Sequence, residues 1–174
     1  MDNDSYRPLD RPSDIIALGS TYPLPHEIQA MTAQNVFDAC ATHMMRQGAP
    51  AVSVDDLSCR YRAGGMACGV GAVVPEAWYT ERIESMTVSE ILAHDDHAII
   101  VPEFRAFLQR HQPLLADIQS CHDTVHVPDW RRALTSIAAK YGLAWRCLAR
   151  FDTKPAVAYS PSEQTRRLAA QISQ

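Results

Sequence analysis

The sequence lacks the long apolar runs and the excess of one charge that mark several large classes of protein. No apolar stretch among its 174 residues approaches the roughly 20 that a transmembrane helix needs. The N-terminus, Met1 to Ser5, is acidic and has no apolar segment like that of a secretory signal. A formal net charge of -4 argues against broad nonspecific binding to nucleic acid. We therefore expect a cytoplasmic protein without membrane contact.

Cysteine is present, but not in the pattern of a disulfide-bonded scaffold. The five cysteines are odd in number and irregularly spaced, at positions 40, 59, 68, 121 and 147. Small secreted domains usually carry an even number of cysteines that pair. The pattern therefore indicates reduced thiols, packed as small apolar side chains in a reducing compartment.

The remaining composition predicts one globular domain with an extension at each end. Apolar residues make up 47% and charged residues 21%, as in ordinary globular proteins. Residues 1–25 contain four prolines, which predicts an extended N-terminal arm. Residues 26–151 form the predicted compact domain, and residues 152–174 a C-terminal linker and helix. The predicted fold is a helix-rich α+β single domain with a small antiparallel sheet.

Two helices have clear start signals. Apolar residues at helical spacing predict a helix over residues 33–47, with Thr32 as N-cap and Gly48 at the left-handed C-terminal position. Thr87 and Glu90 form a capping box that opens a short helix.

The C-terminal half is also predicted to be mainly helical. A stripe of apolar residues predicts a helix over residues 102–122, which Pro113 should kink or split. Asp129 should cap a further helix that Gly142 ends. Residues 143–151 fit either a strand or another helix.

The most distinctive feature is a cysteine-flanked hairpin. Leu57–Arg62 and Met66–Val74 are predicted strands around Gly64 and Gly65. A two-residue turn would place Tyr61 opposite Cys68, and Cys59 opposite Val70, with both cysteines on one face. A three-residue loop would shift the register and move Cys68 to the other face. The sequence does not decide between these registers.

The opposite face of the hairpin is the first candidate binding site. With a two-residue turn, Arg60 and Arg62 share this face with Gly69 and Gly71. The glycines would clear space above which two guanidinium groups could hold a carboxylate, a phosphate or an acidic partner surface. The alternative is that the arginines pair within the chain, with Glu81, Glu84, Asp95 or Asp96.

A thiol or metal site is the second candidate. Cys59, Cys68 and His122 could form it, with His126 as a further ligand, but their spacing matches no zinc pattern. His122 and Asp123 could supply a base and a carboxylate. However, adjacent helical residues point about 100° apart, so we expect Asp123 to orient His122 poorly. We therefore expect no metal, no cofactor and no enzymatic activity, with His122 and Asp123 as secondary binding candidates.

A helix-turn-helix-like segment is the third candidate. In residues 136–151, small residues, a glycine for the turn and apolar residues stand at the spacing typical of such a unit. Arg146 and Arg150 could contact DNA phosphates. Many helix–glycine–apolar segments satisfy this pattern in part. The start of the second helix also offers few groups that could read bases.

Several motifs together resemble a group of small proteins of bacteria and their phages that have no assigned activity. Their hairpin reads C-x-Y-R-G-x-x-G-x-K-C-A-x-G-x-L-I-P. A tyrosine and Met-Glu-Gly follow it, then Leu-Gln-x-x-His-Asp and Trp-x-x-x-Leu-x-x-Ile-Ala-x-x-x-Gly-Leu. The likeness spans about residues 36–143. Beyond the hairpin, it rests on Phe37, His43, Tyr79, Ile118, Gln119, His122, Asp123, Trp130, Leu134, Ile137, Ala138, Gly142 and Leu143.

The likeness also has departures. Ala63 stands in place of the first hairpin glycine, Met66 and Ala67 replace the polar–lysine pair, and Ile83-Glu84-Ser85 replaces Met-Glu-Gly. The resemblance implies an origin in the bacterial cytosol or in a mobile element, and it implies no activity.

These observations favour a small non-enzymatic binding protein whose partner is another protein, for example a component of a host system that it inhibits. A thiol- or metal-dependent enzyme and a DNA-binding protein remain as alternatives. The oligomeric state is not predicted.

Overall fold

The computed structural model describes residues 22–94 and 100–151. Most of the predicted N-terminal arm and all of the predicted C-terminal linker and helix lie outside the described residues. The described chain is helix-rich α+β with one two-stranded antiparallel sheet, as predicted. Its helices and strands are α1 (Pro25–Gln29), α2 (Ala33–Gln47), β1 (Arg62–Ala63), β2 (Met66–Ala67), α3 (Val88–Ala93), α4 (Pro102–Thr124), α5 (Trp130–Lys140) and α6 (Arg146–Ala149).

Helix α2 has the predicted boundaries. The hydroxyl of Thr32 accepts a hydrogen bond from the backbone N–H of Asn35, and Gly48 ends the helix with φ 63°. Its inner face buries five side chains in the core, namely Val36, Phe37, Cys40, Ala41 and Met44.

Helix α4 packs against α1, α2, α3 and α5. It runs unbroken through Pro113, so the predicted split does not occur. Pro113 is exposed, and water can therefore reach the backbone carbonyl that the missing N–H leaves free. Among the described residues, no helix has the length and apolar character that crossing a membrane requires.

The hairpin has the two-residue turn. Arg62 pairs with Ala67 and Ala63 with Met66, while Gly64 and Gly65 have φ 57° and 78°. Two positive φ angles favour the strand twist of a tight hairpin. Tyr61 lies opposite Cys68, whose N–H donates to the Tyr61 carbonyl at 3.0 Å.

The strands are much shorter than predicted. Cys59 forms a bridge with Val52 rather than with Val70. Beyond Cys68 the chain curls into a 3₁₀ turn at Gly71–Val73, with the Ala72 N–H donating to the Cys68 carbonyl. The alternating pattern fails here because Val70, Val73 and Val74 are all buried, which a curled backbone achieves and a one-sided strand does not.

The last two helices differ in part from the prediction. Asp129 precedes α5, but its carboxylate binds Arg132 instead of capping the helix. A 3₁₀ turn at Val127–Asp129 leads into α5, so the expected side-chain cap is absent. Gly142 ends the helix region with φ 64°, as predicted. Residues 146–149 form a short helix, not a strand.

Candidate functional site

The hairpin, the segment after it and the C-terminal half of α4 enclose a small recess. Its volume is about 80 Å³. Both hairpin cysteines line it, as do residues from the other two segments. The full lining is Cys59, Arg60, Tyr61, Cys68, Ser85, Met86, Thr87, Gln119 and Asp123. We call this cavity the recess.

Glu84 attaches the hairpin to the segment that follows it. Its carboxylate accepts hydrogen bonds from the backbone N–H groups of Tyr61, at 2.7 Å, and Arg62, at 3.0 Å. It also accepts one from the hydroxyl of Tyr79 at 2.8 Å. The next residue, Ser85, has φ 64°, a left-handed conformation that residues other than glycine rarely adopt.

Gln119 closes the inner wall of the recess. Its side-chain amide nitrogen donates to the Tyr61 hydroxyl and the Met86 carbonyl, at 3.2 Å and 3.1 Å. Its carbonyl oxygen accepts from the Val88 N–H at 3.0 Å. The hairpin is therefore joined to α3 and α4 by side-chain bonds.

His122 is buried and uses both of its ring nitrogens. Nε2 lies 3.0 Å from the backbone nitrogen of Ala51, which can only donate. Nε2 must therefore accept, and the proton lies on Nδ1, which donates to Asp123 at 2.7 Å. The expectation that Asp123 orients His122 poorly is wrong, because rotation of the two side chains overcomes the 100° between adjacent helical positions.

The same geometry limits what His122 can do chemically. The side-chain atoms of Cys59, His122 and Asp123 lie within 4.8 Å of one another, and among the described residues this is the only such group of three. A base acting on Cys59 would need a free lone pair on the imidazole, and Ala51 occupies the one on Nε2. A metal on Nδ1 would need the opposite tautomer, which would set Nε2–H against the Ala51 N–H.

The thiol of Cys59 is not activated. Partial burial raises the pKa of Cys59 to about 11, and the neighbouring carboxylate of Asp123 raises it further. A nucleophilic or metal-binding cysteine needs a lowered pKa. Cys68 is fully buried, and its sulfur accepts the Gly71 N–H. The cysteines therefore show none of the features of a thiol catalyst.

The predicted arginine–glycine face does not form. A Cβ on Gly71 would lie 2.0 Å from the carbonyl oxygen of Tyr61, and a Cβ on Gly69 would lie 2.8 Å from Ile118 and Met44. The glycines therefore allow close packing inside the protein and offer no floor for a ligand.

Both arginines bind within the chain, to acids other than Glu81 and Glu84, while Asp95 and Asp96 lie outside the described residues. Arg60 pairs with Asp56 and donates to the hydroxyl of Ser85. Arg62 pairs with Glu76, donates to the Val74 carbonyl and lies between the rings of Tyr22 and Tyr79. Arg62 is therefore held by an ion pair, a backbone carbonyl and two rings, although its buried Nε has no hydrogen-bond partner among the described residues, whereas Arg60 also lines the recess.

The remaining candidates lie apart from the recess. His126 is exposed and does not belong to the cysteine–histidine–aspartate group. In the helix-turn-helix-like segment, α6 is four residues long, its Leu148 is buried, and Arg150 donates to Thr42 on α2. Arg146 is exposed on α6. A helix of this length spans one turn and offers little to a DNA groove.

The most unusual feature near the recess is a loop whose last two residues, Leu57 and Ser58, were predicted to belong to a strand. We call residues Ser53 to Ser58 the 53–58 loop. Val54 is 86% exposed and Leu57 is 79% exposed. Leu57 has φ 57°, a conformation in which a leucine is strained. The sequence signal was weak, because Val54 and Leu57 match an alternating pattern only partially and Leu gives no hint of a left-handed backbone.

Hydrogen bonds within the loop fix its shape. The Ser53 N–H donates to the Ser58 carbonyl at 2.9 Å, and the Leu57 N–H to the Ser53 carbonyl at 3.1 Å. Asp56 accepts both the N–H and the hydroxyl of Ser58. At the base, the Arg60 N–H donates to the Ala51 carbonyl at 2.9 Å. Because His122 holds the N–H of that same Ala51, the loop is anchored to α4.

Comparison of the chain with protein-family models, with curated proteins and with solved structures found no match.

Proposed function

We propose that this protein is a non-enzymatic binding protein that acts by contact with another protein, and that the 53–58 loop forms the contact. The observation that carries the proposal is a rigid loop that holds two apolar side chains in water. Exposing Val54 and Leu57 gives up the free energy of their burial, roughly 1.5–3 kcal/mol for each side chain. Within residues 22–94 and 100–151, neither side chain is buried against another part of the fold.

Strain at Leu57 supports the same proposal. A non-glycine residue in the left-handed region costs of order 1 kcal/mol and is found most often at functional sites. The bonds inside the loop hold this conformation before any partner arrives. A preordered loop loses little conformational entropy on binding, which favours affinity.

The occupied nitrogens of His122 and the protonated thiol of Cys59 favour binding over the thiol- or metal-dependent alternative. Elemental analysis of the purified chain after incubation with zinc tests that alternative. One tightly held zinc per chain, lost on Cys59→Ser, would favour it over the present proposal. No specific observation favours DNA binding. The resemblance to proteins of bacteria and phages makes a bacterial host protein the first partner to test.

Site-specific photo-crosslinking tests the proposal. A photoreactive amino acid replaces Val54 in the full chain, and the same amino acid replaces Arg132 on α5 as a control, since the Arg132 side chain is 80% exposed. In extract of the natural host cell, we expect one protein to crosslink at position 54 and not at 132. The purified partner should then bind the unmodified chain.

The variant Leu57→Asn shows whether the loop itself is recognised. Asparagine tolerates a positive φ, so the loop keeps its shape while the apolar contact is lost. We expect Leu57→Asn to weaken binding of the purified partner at least about tenfold, roughly the 1.4 kcal/mol that a lost apolar contact represents. Equal crosslinking at positions 54 and 132, or unchanged affinity of Leu57→Asn, would overturn the proposal.

A further inference from the structure

The recess lies directly beside the 53–58 loop. Arg60 forms part of its wall and also pairs with Asp56 in the loop. Cys59, the first residue after the loop, lines the recess as well. A partner segment that covers the exposed apolar side chains of the loop therefore also reaches the recess.

The recess carries negative charge that the described residues do not balance. In the described part of the chain, Asp123 contacts no lysine or arginine. Its nearest partner is the ring of His122, which is neutral because Nε2 accepts from Ala51, and the side chain of Asp123 is 34% exposed. Glu84 does not line the recess but lies behind its wall, where it binds the backbone N–H groups of Tyr61 and Arg62 and a tyrosine hydroxyl; no described lysine or arginine forms an ion pair with it. The charge of Arg60, in contrast, is balanced by Asp56.

Two buried groups of the recess sense these carboxylates. Burial is the main cause that raises the pKa of Cys68 to about 12, and the charges of Asp123 and Glu84 raise it further. Burial likewise raises the pKa of Tyr61 most strongly, with Asp123 and Glu84 among the further causes. The negative charges of both carboxylates therefore raise the pKa of groups that line the recess.

The size and polarity of the recess limit what it can accept. A volume of about 80 Å³ exceeds the space that one water needs, and it suits an ammonium group with its adjoining methylenes. Its accessible acceptors are the Asp123 carboxylate and the hydroxyl of Ser85, which is itself exposed. A metal ion is disfavoured here because Ala51 fixes the His122 tautomer.

We infer that the recess receives a basic side chain, a lysine above all, from the protein that the 53–58 loop contacts. This inference rests on the proposed function and specifies its partner. The partner segment combines an apolar patch, which covers Val54 and Leu57, with a neighbouring lysine whose ammonium group reaches Asp123. Lysine suits the recess better than arginine because a compact ammonium needs less room than a planar guanidinium.

Titration with n-butylammonium, the lysine side chain as a free molecule, tests the recess without the partner. Amide chemical shifts of the full chain are followed by NMR at constant ionic strength, with uncharged 1-butanol as the matched probe. We expect saturable shifts at Cys59, Ser85 and Asp123 with n-butylammonium, and at least about tenfold weaker binding of 1-butanol at these positions, consistent with the loss of a charge-assisted hydrogen bond.

Asp123→Asn is the informative variant because asparagine keeps an oxygen that can accept from His122 and removes only the charge. We expect this variant to lose the saturable shifts, whereas Glu103→Gln, an exposed position on α4, leaves them intact. Equal binding of 1-butanol, or shifts that persist in Asp123→Asn, would overturn the inference.

The outcomes separate the two proposals. If the crosslink at position 54 is found but n-butylammonium does not bind, the loop proposal stands and the inference that the recess receives a basic side chain is wrong. If n-butylammonium binds but no crosslink forms at position 54, the recess is a cation site and the loop proposal fails.

Discussion

The side chain of Asp123 has two opposite effects on its neighbours. Its carboxylate orients the ring of His122, and its charge adds to the burial that raises the pKa of the nearby Cys59 thiol. An aspartate beside a cysteine and a histidine suggests a catalytic group when only the residue types are considered. The distances and the tautomer argue against that role and leave Asp123 as a charged wall of the recess.

The first prediction concerns the reactivity of Cys59. With its pKa raised to about 11, against an ordinary value of 9.0, we expect alkylation by iodoacetamide at pH 7.5 to be about 100-fold slower than for an ordinary exposed cysteine. Asp123→Asn should speed the reaction several-fold, because the charge that opposes the thiolate is removed. Mass-spectrometric mapping of each cysteine measures the rates.

Cys147 is the internal control for this experiment. Its pKa is raised to about 12 by burial and by Asp38, so Asp123→Asn should leave its rate unchanged. Fast alkylation of Cys59 in the unmodified protein would contradict the prediction and revive the thiol hypothesis.

The second prediction concerns strain at Leu57. Leu57→Gly should unfold at a urea concentration no lower than the unmodified protein, because glycine adopts φ 57° without a steric penalty. Leu57→Ala keeps the strained backbone and should be less stable than Leu57→Gly by about 1 kcal/mol. The reverse order of the two variants would show that the loop has no strain at this residue.

Residue-level features of the site were predictable only in part. The residue types of the recess were found from the sequence, because Cys59, Cys68, His122 and Asp123 attract attention by their chemistry. Their roles were not, since the Ala51 N–H that fixes the tautomer of His122 comes from a distant part of the chain. The exposure of Leu57 was also missed, because it depends on the path of the loop backbone and not on the type of any one residue.

At the scale of elements, the hairpin and the turn after it depend on a close approach of two backbone segments. We predict that Gly71→Ala costs at least about 3 kcal/mol of stability or prevents folding, since the new Cβ would meet the Tyr61 carbonyl oxygen at 2.0 Å. Overpacking against backbone cannot be relieved by rotating a side chain. Thermal and urea unfolding of the purified variant measure the loss.

Gly142→Ala is the matched control. Gly142 has φ 64° and open space around it, so alanine there should cost only about 1 kcal/mol, from the backbone conformation alone. Similar losses in both variants would mean that the contact between Gly71 and Tyr61 carries no special weight.

A further prediction tests how Glu84 joins the hairpin to the chain after it. Glu84→Gln removes the charge and leaves a single acceptor oxygen for three donors. We expect a loss of about 2–3 kcal/mol, as for weakened hydrogen bonds to a charged group. The exposed neighbour Glu81 provides the control, and Glu81→Gln should change the free energy of unfolding by less than about 0.5 kcal/mol.

Helices were more predictable than strands for a physical reason. Helix α2 has its cap at Thr32, its apolar stripe and its stop at Gly48 within one local stretch of sequence. The hairpin turn was also local, and its two glycines were recognised. The ends of the strands depend on which backbone packs against Gly71 and on where the 53–58 loop closes, and neither is encoded nearby.

At the scale of the whole molecule, the buried His111 and the half-buried His43 should make stability depend on pH. Burial lowers the pKa of His43 and of His111 below the ordinary value of 6.5. For His43, the hydrogen bonds to the Ala67 carbonyl and Gln47 oppose this effect, and His122 adds to it. For His111, the charge of Arg110 adds to the effect of burial.

The direction follows from proton linkage. The unfolded chain binds these protons more tightly than the folded chain, so stability is full above pH 6.5 and falls as the pH drops below it. We expect a lower free energy of unfolding at pH 5.5 than at pH 7.5. His43→Gln should reduce that difference, whereas replacing the exposed His126 should not. A pH-independent free energy of unfolding would refute this prediction.

The fold class was predictable from the sequence, and the location of the site was not. Periodicity and composition gave a helix-rich α+β protein because those signals are summed over many residues. The recess joins residues near positions 60, 85 and 120, and no local pattern states that these segments meet. The arginines of the hairpin illustrate the limit, since the sequence left pairing within the chain open as an alternative but did not name Asp56 and Glu76 as the partners.

The bond from the Ala51 N–H to His122 also has a consequence for the order of events in folding. It joins residues 71 positions apart, and contacts of such separation form after local helices. The bonds within the 53–58 loop shape it locally, but its base is fixed to the rest of the protein only when α4 is already in place. A nascent or damaged chain would present the loop without this anchor, so a partner that contacts both the loop and the recess would itself report that this molecule has finished folding.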